Sequence, residues 1–479
     1  MEKQPVMIHK WLILFNVSVS VFMATLDGSI VNIALPVISR ELSVNISSVQ
    51  WVVTSYLLTI SVLLLIWGKI SDMYGRKKIF AFGFIIFTVG SGMCGFSNNL
   101  DMLVVSRILQ AIGASAMMAL SQGIITSTFP PSERGRALGI NGTTVAIGSL
   151  VGPSIGGILV HSFSWQSIFL INIPIGILGT VLTFSIIPEI HEPSESKEFD
   201  YKGSYMFIAS ILLLFVGLLL IQEGSISFGI FVPMFLLSII ILYLFINHEG
   251  KVSNPLIYLS LFRIKVFSMG ISSAYLSFIA INSTILFVPF YLQYALNLNT
   301  LTSGLLLSFY PATSAIVAPI SGWLSDKISY RPLTATGLCI NTIILFRIAT
   351  LNASTSFVEI AVLMMLLGAG AAIFQSPNTS SIMGSVQRNQ LGIAGGITAL
   401  FRNLGMVSGT TLSVLIFSFS TKMNINSLSN GSVAFDTALF LKGFRLVLVF
   451  AGLSCFTAAI INLTRVLKVD PGAGAGAKT

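Results

Sequence analysis

Charged side chains are scarce in this sequence. Only 9% of its 479 residues are Asp, Glu, Lys or Arg, whereas soluble globular chains devote about 25% of their residues to charge. A surface that faces water needs that charge. The composition therefore excludes a cytosolic enzyme, a disordered protein and a nucleic-acid binder, although the formal net charge is +9. It indicates an integral membrane protein.

The residue types that carry enzyme and cofactor chemistry are also few. The three Cys and four His stand at unrelated spacings, so we expect neither a disulfide nor a metal site. No Gly-x-x-x-x-Gly-Lys-Ser/Thr loop occurs, which disfavours ATP hydrolysis. We therefore expect no enzymatic activity and no cofactor. We also expect no cleaved signal peptide, since residues 1–10 lead directly into a long apolar run.

Apolar residues, by contrast, make up 54% of the chain and occur in long runs. A helix that crosses the roughly 30 Å hydrocarbon core needs about 20 such residues. The sequence contains fourteen runs of that kind, which leave only short connections and predict an all-α membrane protein. They lie approximately at residues 11–35, 51–70, 79–97, 100–126, 137–160, 166–187, 203–222, 228–246, 268–292, 301–324, 333–350, 357–377, 393–419 and 444–464.

The basic residues indicate how these spans are oriented. If the N-terminus is inside and the spans alternate, nineteen of the 26 Lys and Arg residues fall on inside connections. Four fall outside and three within spans. Because Lys and Arg are retained on the cytoplasmic side, we predict that both termini are cytoplasmic.

An internal repeat divides the chain. Residues 68–78 and 322–331 both contain Gly-x-x-Ser-Asp followed by Arg, and both follow an even-numbered span. The repeat predicts two six-helix bundles with two extra transmembrane helices between them. The predicted boundaries are 1–190 for the first bundle, 191–250 for the linker with the extra helices, 251–470 for the second bundle and 471–479 for a flexible tail.

Five motifs, in order along the chain, resemble those of the major facilitator superfamily and its fourteen-helix drug–proton antiporter branch. They occupy residues 26–36, 68–78, 107–114, 148–157 and 165–176. Ala111 stands where that family usually has glycine. The resemblance implies the major facilitator fold, in which the substrate cavity lies between the two bundles near the membrane midplane.

Asp27 and Arg107 are the deep charges of the first half. A carboxylate within a span should face the cavity and be driven toward its protonated form, because its charge is costly there. The resemblance implies that Asp27 couples proton to substrate and that Arg107 modulates its protonation. The alternatives are a structural acid bonded to Asn32 or a neighbouring helix, and a permanent ion pair that fastens two helices.

Asp72 and Arg76 lie in the first copy of the repeat. Asp72 can cap the N-terminus of a helix in the neighbouring bundle and pair with a basic residue, and the resemblance implies a gating role for both residues. Asp326 is the matching acid of the second copy. The alternative is a basic loop that only sets topology.

Small residues cluster in the fifth span. Gly148, Gly152, Gly156 and Gly157 allow close helix approach, and Pro153 frees a carbonyl. The resemblance implies an antiporter motif that seals the cavity against proton leak, and plain helix packing is the alternative.

The second half holds two arginines within spans. No carboxylate in an adjacent run obviously matches them; we expect Arg347 to reach the interface and Arg402 to lie more centrally. The candidate cavity residues are Asp27, Gln50, Tyr56, Asn141, Asn282, Tyr310, Gln375, Asn378, Arg402 and Asn403.

Together these features predict a proton-driven exporter of lipophilic drugs that works by alternating access in a bacterial-type inner membrane. A single deep carboxylate favours neutral, zwitterionic or monocationic substrates over dications. The alternatives are an exporter or flippase of an endogenous lipid or anionic metabolite, and a membrane receptor or assembly protein without transport. The expected partners are a small-molecule substrate, protons and membrane lipids, with no nucleic acid, and the expected state is a monomer.

Overall fold

The computed structural model describes residues 7–44, 46–189, 199–223, 226–421 and 437–467. Within these ranges the regular structure is helical and contains no strand. Fourteen spans there are long and apolar enough to cross a membrane, which confirms the predicted all-α fold. We number their helices α1 (Met7–Glu41), α2 (Trp51–Tyr74), α3 (Arg76–Gly95), α4 (Leu100–Thr128), α5 (Pro131–Ser162), α6 (Asn172–Ile186), α7 (Tyr201–Glu223), α8 (Phe228–Glu249), α9 (Lys265–Phe290), α10 (Thr300–Ile328), α11 (Tyr330–Ala349), α12 (Phe357–Gly384), α13 (Leu391–Thr421) and α14 (Thr437–Leu467).

Two of these spans have irregular ends. The one-turn helix Ser167–Leu170 precedes α6, and together they form the sixth span. A π-helical turn, Tyr291–Ala295, extends α9. The predicted tail at 471–479 lies outside the described residues, and the orientation of the termini stays a prediction.

Polar side chains set where several helices begin. Asn99 before α4, Asn299 before α10 and Ser356 before α12 each accept a hydrogen bond from the backbone N–H three residues ahead, at 2.8, 2.8 and 3.3 Å. Such caps satisfy one of the donors that the first helical turn leaves without a partner. The apolar runs predicted from the sequence begin within two residues of these caps.

The chain forms two compact units. The first contains Met1–Leu259 and Val386–Leu400, and the second contains Ser260–Ser385 and Phe401–Thr479. The first ten residues of α13 therefore belong to the first unit, and the rest of this helix belongs to the second. The predicted division at 190, 250 and 470 stays a prediction.

The same helix pairings occur inside each unit. In the first, α4 packs on α1, α2 and α3, and α6 packs on α1 and α3. In the second, α12 packs on α9, α10 and α11, and α14 packs on α9 and α11. The helix numbers of each packed pair in the second unit are eight higher than those of the corresponding pair in the first. The sequence repeat is thus a repeat of tertiary structure.

Each unit has its own apolar core. Trp165 and Phe169, beside α1, are fully buried in the first unit. Phe287, Tyr291 and Phe417 lie in the aromatic core of the second. The inserted helices α7 and α8 pack on each other and belong to the first unit, where α7 also contacts α2.

Candidate functional site

The carboxylate of Asp27 lies within α1 and is completely buried. Its Oδ2 accepts a hydrogen bond from Arg107 at 2.5 Å. Its Oδ1 accepts from Gln110 at 2.8 Å and from Asn172 at 3.2 Å. The three donors come from α4 and from the first residue of α6. An ionised carboxylate in a membrane span needs such partners, and here both of its oxygens have them.

Arg107 is also completely buried, and Asp27 is only one of its partners. Its Nε donates to the carbonyl of Val52 in α2 at 3.0 Å, and its NH1 donates to Gln110 Oε1 at 2.6 Å. The guanidinium lies 4.0 Å from the centroid of the Tyr56 ring, which is a cation–π contact. These contacts can hold Arg107 in place when Asp27 loses its charge.

Two polar atoms of this cluster have no partner among the described residues. They are Asn172 Oδ1 and Tyr56 Oη, and both are buried. Asn172 therefore donates its amide to Asp27 while its carbonyl oxygen accepts nothing. A protonated Asp27 needs an acceptor, and rotation of the Asn172 amide group would supply one.

Asp72 lies at the N-terminus of α13. Its Oδ1 accepts from the backbone N–H of Gly392 and its Oδ2 from that of Ile393, each at 3.0 Å. Arg76 pairs with Asp72 at 3.3 Å and also donates to the carbonyl of Arg388. A carboxylate at a helix N-terminus is stabilised by the free N–H groups and by the helix dipole. This contact lies within the first unit, because Val386–Leu400 belongs to it.

The second copy of the motif has the same local geometry. Ser325 Oγ donates to the Gly322 carbonyl at 2.7 Å, as Ser71 Oγ does to that of Gly68. Asp326 is half-buried near the end of α10.

The backbone repeats as well. The residue after α2 has φ 98° and ψ 137°, and the residue after α10 has φ 86° and ψ 147°. In the first copy this residue is Gly75 and in the second it is Ser329. Positive φ with this ψ is a region that glycine adopts readily and that strains other residues.

The glycines of α5 form a seam against α1 on both sides of Asp27. A Cβ added to Gly148 would lie 2.2 Å from Thr25 Oγ1, and one added to Gly152 would lie 1.9 Å from Ser29 Oγ. A Cβ on Gly156 would meet Ile30 at 2.6 Å. These three positions therefore need glycine for close helix approach.

The other two members of the motif point away from this seam. Pro153 is exposed, and a Cβ on Gly157 would have nothing within 4 Å. Only three of the five motif residues pack α5 against α1.

The candidate cavity residues of the first unit have different surroundings. Gln50 is exposed just before α2. Tyr56 is buried against Arg107 and so belongs to the Asp27 cluster. Asn141 in α5 is 8% exposed, and its Oδ1 has no partner among the described residues.

In the second unit, two of the candidate residues join helices. Asn282 in α9 donates to the Met406 carbonyl of α13 at 2.8 Å, and also to Thr410 Oγ1. Asn378 in α12 donates to the Gly270 carbonyl of α9 at 3.0 Å and is 1% exposed. Tyr310 and Gln375 are half-buried, and Asn403 is buried.

The two arginines of the second half differ sharply. Arg347 pairs with Glu359, in the first turn of α12, and donates to Thr350 at 2.6 Å. The expectation that no adjacent carboxylate matches Arg347 is therefore wrong, because Glu359 reaches it from the next helix. Arg402 is half-buried, and no described residue forms an ion pair or hydrogen bond with it.

Sequence reasoning missed two side chains that contact Asp27, Gln110 and Asn172. Gln110 lies one turn after Arg107 and therefore on the same face of α4. Asn172 is a polar residue in an apolar run. Both signals were present in the motifs, but only folding brings α1, α4 and α6 together.

Sequence reasoning also missed a second glycine seam, between α13 and α9. A Cβ on Gly405 would lie 2.7 Å from the Tyr275 carbonyl, and one on Gly409 would lie 2.6 Å from that of Ile279. The two glycines of α13 are four residues apart, as Gly148 and Gly152 are in α5. That spacing was the available signal.

Comparison with known proteins places these observations in a family. The Major Facilitator Superfamily model matches residues 17–410. The riboflavin transporter RibZ of Clostridioides difficile (strain 630) is 34% identical over 462 residues, which are 96% of this chain and 99% of that protein. The multidrug resistance protein Stp of Mycobacterium tuberculosis (strain CDC 1551 / Oshkosh) is 32% identical over 83% of this chain and 74% of its own length.

Two further proteins are similar to this chain, one in sequence and one in fold. The multidrug transporter protein MdtP of Bacillus subtilis (strain 168) is 28% identical over 86% of this chain and 76% of its own length. The crystal structure of the human organic anion transporter MFSD10 superposes with a TM-score of 0.67 at 13% identity, over 96% of this chain and 100% of that one. At that identity the likeness concerns the fold alone.

Proposed function

Since this chain belongs to the major facilitator superfamily, we propose that it is a proton-coupled antiporter that exports lipophilic drugs or other small amphiphilic compounds. It is a multi-pass membrane transporter of a family with bacterial members, and its relatives are transporters and not enzymes. The multidrug transporters among those relatives support a drug as substrate. Proton coupling and alternating access are the further steps of the proposal.

The observation that carries proton coupling is the buried contact between Asp27 and Arg107. A carboxylate without access to water exchanges protons only when its helices move. Its partners stand on α4 and α6, so separation of these helices from α1 would weaken the ion pair and admit water. That geometry supports the proposed coupling between a conformational change and proton exchange.

Protonation changes the cluster in a defined way. A neutral Asp27 no longer attracts Arg107, whose guanidinium keeps Gln110, the Val52 carbonyl and the Tyr56 ring as partners. The Asn172 amide can rotate so that its unpartnered Oδ1 accepts the new O–H. The protonated form then has a hydrogen-bonded structure of its own, and substrate would bind to one form in preference to the other.

Asp72 and Arg76 are proposed to stabilise one conformation of the transport cycle. Two backbone N–H groups of α13 bond to Asp72, and a conformational change that moves α13 away from α2 must break both bonds. Interactions of a charged side chain with a helix terminus contribute roughly 0.3–1 kcal/mol each, which is enough to bias an equilibrium without locking it. Asp326 is proposed as the weaker counterpart.

The proton gradient is sufficient as the energy source. One charge crossing 100 mV releases about 2.3 kcal/mol. At about 1.4 kcal/mol per factor of ten, one proton sustains a concentration ratio of roughly fiftyfold for a neutral substrate. We propose that no cofactor is needed, that both termini are cytoplasmic, and that the protein works as a monomer with substrate, protons and lipids as its partners.

The decisive experiment measures proton release on substrate addition to the purified protein, with a chemically mixed panel of compounds. The wild-type protein should release protons and the Asp27→Asn variant should not. Asp101→Asn is the matched control, because Asp101 is exposed in the first turn of α4 and should leave proton release unchanged. Substrate-induced release that persists in Asp27→Asn would overturn the proton-coupling proposal.

A second candidate function is export of an endogenous lipid or anionic metabolite. The observation that favours it is Arg402, a charged group inside a span without a described partner, because an unpaired intramembrane cation is costly. An anionic group of a substrate would supply the missing partner. The relative named as a riboflavin transporter supports a metabolite as substrate, though not its charge.

Arg402→Ala distinguishes the two candidates. If an anionic metabolite is the substrate, this variant should lose transport of anions and retain transport of cations. Arg347→Ala is the control, because Arg347 is already paired with Glu359. Unchanged transport of both substrate classes in Arg402→Ala would remove the basis of the second candidate.

A further inference from the structure

A second group of titratable side chains, one buried and two half-buried, lies where the inserted helices meet the end of the first unit. Asp200 precedes α7 and accepts a hydrogen bond from the backbone N–H of Gly203 at 2.9 Å. His248 Nε2 lies 3.1 Å from Asp200 Oδ1. Glu249, the last residue of α8, is 3% exposed and accepts from the backbone N–H of Ile257 at 2.8 Å. None of these residues belongs to the Asp27 cluster.

The two carboxyl groups each have one oxygen without a donor. Asp200 Oδ2 and Glu249 Oε1 are buried and form no hydrogen bond with a donor among the described residues. A Cβ on Gly203 would lie 2.3 Å from the first and 2.4 Å from the second. Asp200 Oδ2 and Glu249 Oε1 therefore both lie beside Gly203. The distance between these two oxygens is at most the sum of their distances to the added Cβ.

The charges around this pair favour one proton shared between the two groups. Two adjacent buried carboxylates cannot both be ionised without large repulsion. Neither has a Lys or Arg of the described residues within 4 Å, and His248 is the only basic partner. Burial raises the pKa of Asp200, but the hydrogen bonds from Gly203 and His248 outweigh it and hold the pKa below its usual value. The proton therefore resides on Glu249.

The segment 250–259 joins this pair to α2. Within this segment, the backbone N–H of Ile257 donates a hydrogen bond to Glu249. The next residue, Tyr258, accepts a hydrogen bond from Lys69 of α2 at 3.3 Å. The Lys69 ammonium also lies 4.8 Å from the centroid of the Tyr258 ring. Lys69 is 4% exposed and stands one turn before Asp72.

We propose that Asp200 and Glu249 form a second proton-binding site, whose single shared proton fastens the segment 250–259 to α2. When the proton leaves, the two adjacent carboxylates repel each other. Movement of Glu249 toward water relieves this repulsion and breaks the hydrogen bond from Ile257, although that bond by itself is stronger to an ionised Glu249. The charged or titratable groups that face the site are His248 from α8 and, through Tyr258, Lys69 from α2. Lys202 of α7 and Lys251 after α8 are exposed.

The sign of the pH effect follows from this arrangement. A carboxyl group that holds its proton more tightly in the folded than in the unfolded chain contributes stability at low pH that is lost as the pH rises. The attachment of segment 250–259 should therefore loosen with increasing pH. Through Lys69, a change in the protonation of this site would also affect the contact between Asp72 and α13. Only this effect on Asp72 rests on the proposed function.

Hydrogen–deuterium exchange of the purified full-length protein tests the site without any transport measurement. After correction for the intrinsic exchange rate, protection of the amides in 250–259 should fall with rising pH. One proton gives a slope of about one decade per pH unit where the site titrates. Glu249→Gln is uncharged at every pH and still accepts from Ile257, so its protection should stay high and lose this pH dependence.

Two further variants test the parts of the site. Asp200→Asn places an amide donor beside Glu249, so the midpoint of the pH dependence should move to lower pH. His248→Gln removes the group that favours an ionised Asp200, so the midpoint should move to higher pH. Asp101→Asn, an exposed acid at another helix start, should behave as the wild-type protein does.

The outcomes are separable from those of the transport experiment. Protection of 250–259 that is independent of pH in the wild-type protein would overturn the proposal, and so would a pH dependence that persists in Glu249→Gln. If the exchange results are as expected while Asp27→Asn still releases protons, the second proton site stands and the proton-coupling proposal fails.

Discussion

At the scale of single residues, the arrangement around Asp27 provides partners for both oxygens of a carboxylate that is completely buried inside a span. Its three donors come from Arg107, Gln110 and Asn172. Each hydrogen bond to a charged group contributes roughly 1.5–3 kcal/mol. Two of the donors are side-chain amides, so the hydrogen bonding of the Asp27 carboxylate does not depend on Arg107 alone.

Asn172→Ala should therefore change the pH profile of transport, because the Asp27 carboxylate loses one of its three hydrogen-bond donors. The measurement is the initial rate of substrate transport between pH 5 and 9. Asn32→Ala is the control, because among the described residues the Asn32 amide bonds to the Gly28 carbonyl of its own helix and not to Asp27. An unchanged profile in Asn172→Ala would contradict the prediction.

Ser329 shows a second residue-scale effect, backbone strain. Its φ of 86° repeats the conformation of Gly75 without glycine's freedom. Non-glycine residues in such regions cost roughly 1–3 kcal/mol. Its hydroxyl recovers little of this, because the contact with the Arg331 N–H is 3.5 Å long.

Ser329→Gly should accordingly stabilise the protein by about 1 kcal/mol, seen as a higher thermal unfolding temperature in detergent. Ser325→Gly should destabilise it, because Ser325 lies inside α10, where glycine costs about 1 kcal/mol relative to alanine. The opposite signs make the pair informative. A lower unfolding temperature for Ser329→Gly would show that the strained backbone is not what limits this turn.

At the scale of helices, glycine seams replace the hydrophobic effect. Lipid is as apolar as a leucine side chain, so transmembrane helices gain little from burying apolar surface and associate through close packing. The seam between α5 and α1 places glycines on both sides of Asp27. A second seam, between α13 and α9, occupies the equivalent place in the second unit.

Gly152→Ala should separate α5 from α1, because its Cβ would lie 1.9 Å from Ser29 Oγ and 2.9 Å from Ser29 Cβ. We expect a loss of roughly 1–3 kcal/mol in stability and faster proton leak into proteoliposomes. Gly157→Ala adds the same methyl group where nothing lies within 4 Å and should change neither quantity. Equal effects of the two variants would contradict a role for close packing.

At the scale of the whole molecule, charge is sorted by position. Most of the ion pairs lie near helix ends, such as Lys10 with Glu133 and Arg347 with Glu359. Among the ion pairs of the described residues, Asp27 with Arg107 is the one whose two side chains are both buried, at 0% and 1% exposure. Substrate selectivity should follow from this distribution, because a buried cationic substrate needs a carboxylate to pair with.

We expect monocationic substrates to be exported more efficiently than dications of similar size, by about tenfold or more, which is about 1.4 kcal/mol. A phenanthridinium monocation and its dicationic analogue make a matched pair, with energised efflux from vesicles as the measurement. Strong efflux of the dication that is retained in Asp27→Asn would contradict both this prediction and the proposed coupling role.

The sequence by itself determined the membrane class, the fourteen spans and the repeat, because these depend on local composition and on spacing along the chain. It also determined which residues were rare enough to matter, including Asp27, Arg107 and Asp72. Only the tertiary structure decided which groups meet: Gln110 and Asn172 at Asp27, Glu359 at Arg347, and Asp200 beside Glu249. A buried charge is satisfied by donors from other helices, so its partners depend on the rotation of each helix about its axis. Packing between helices fixes that rotation, and the order of residues within each span does not specify it.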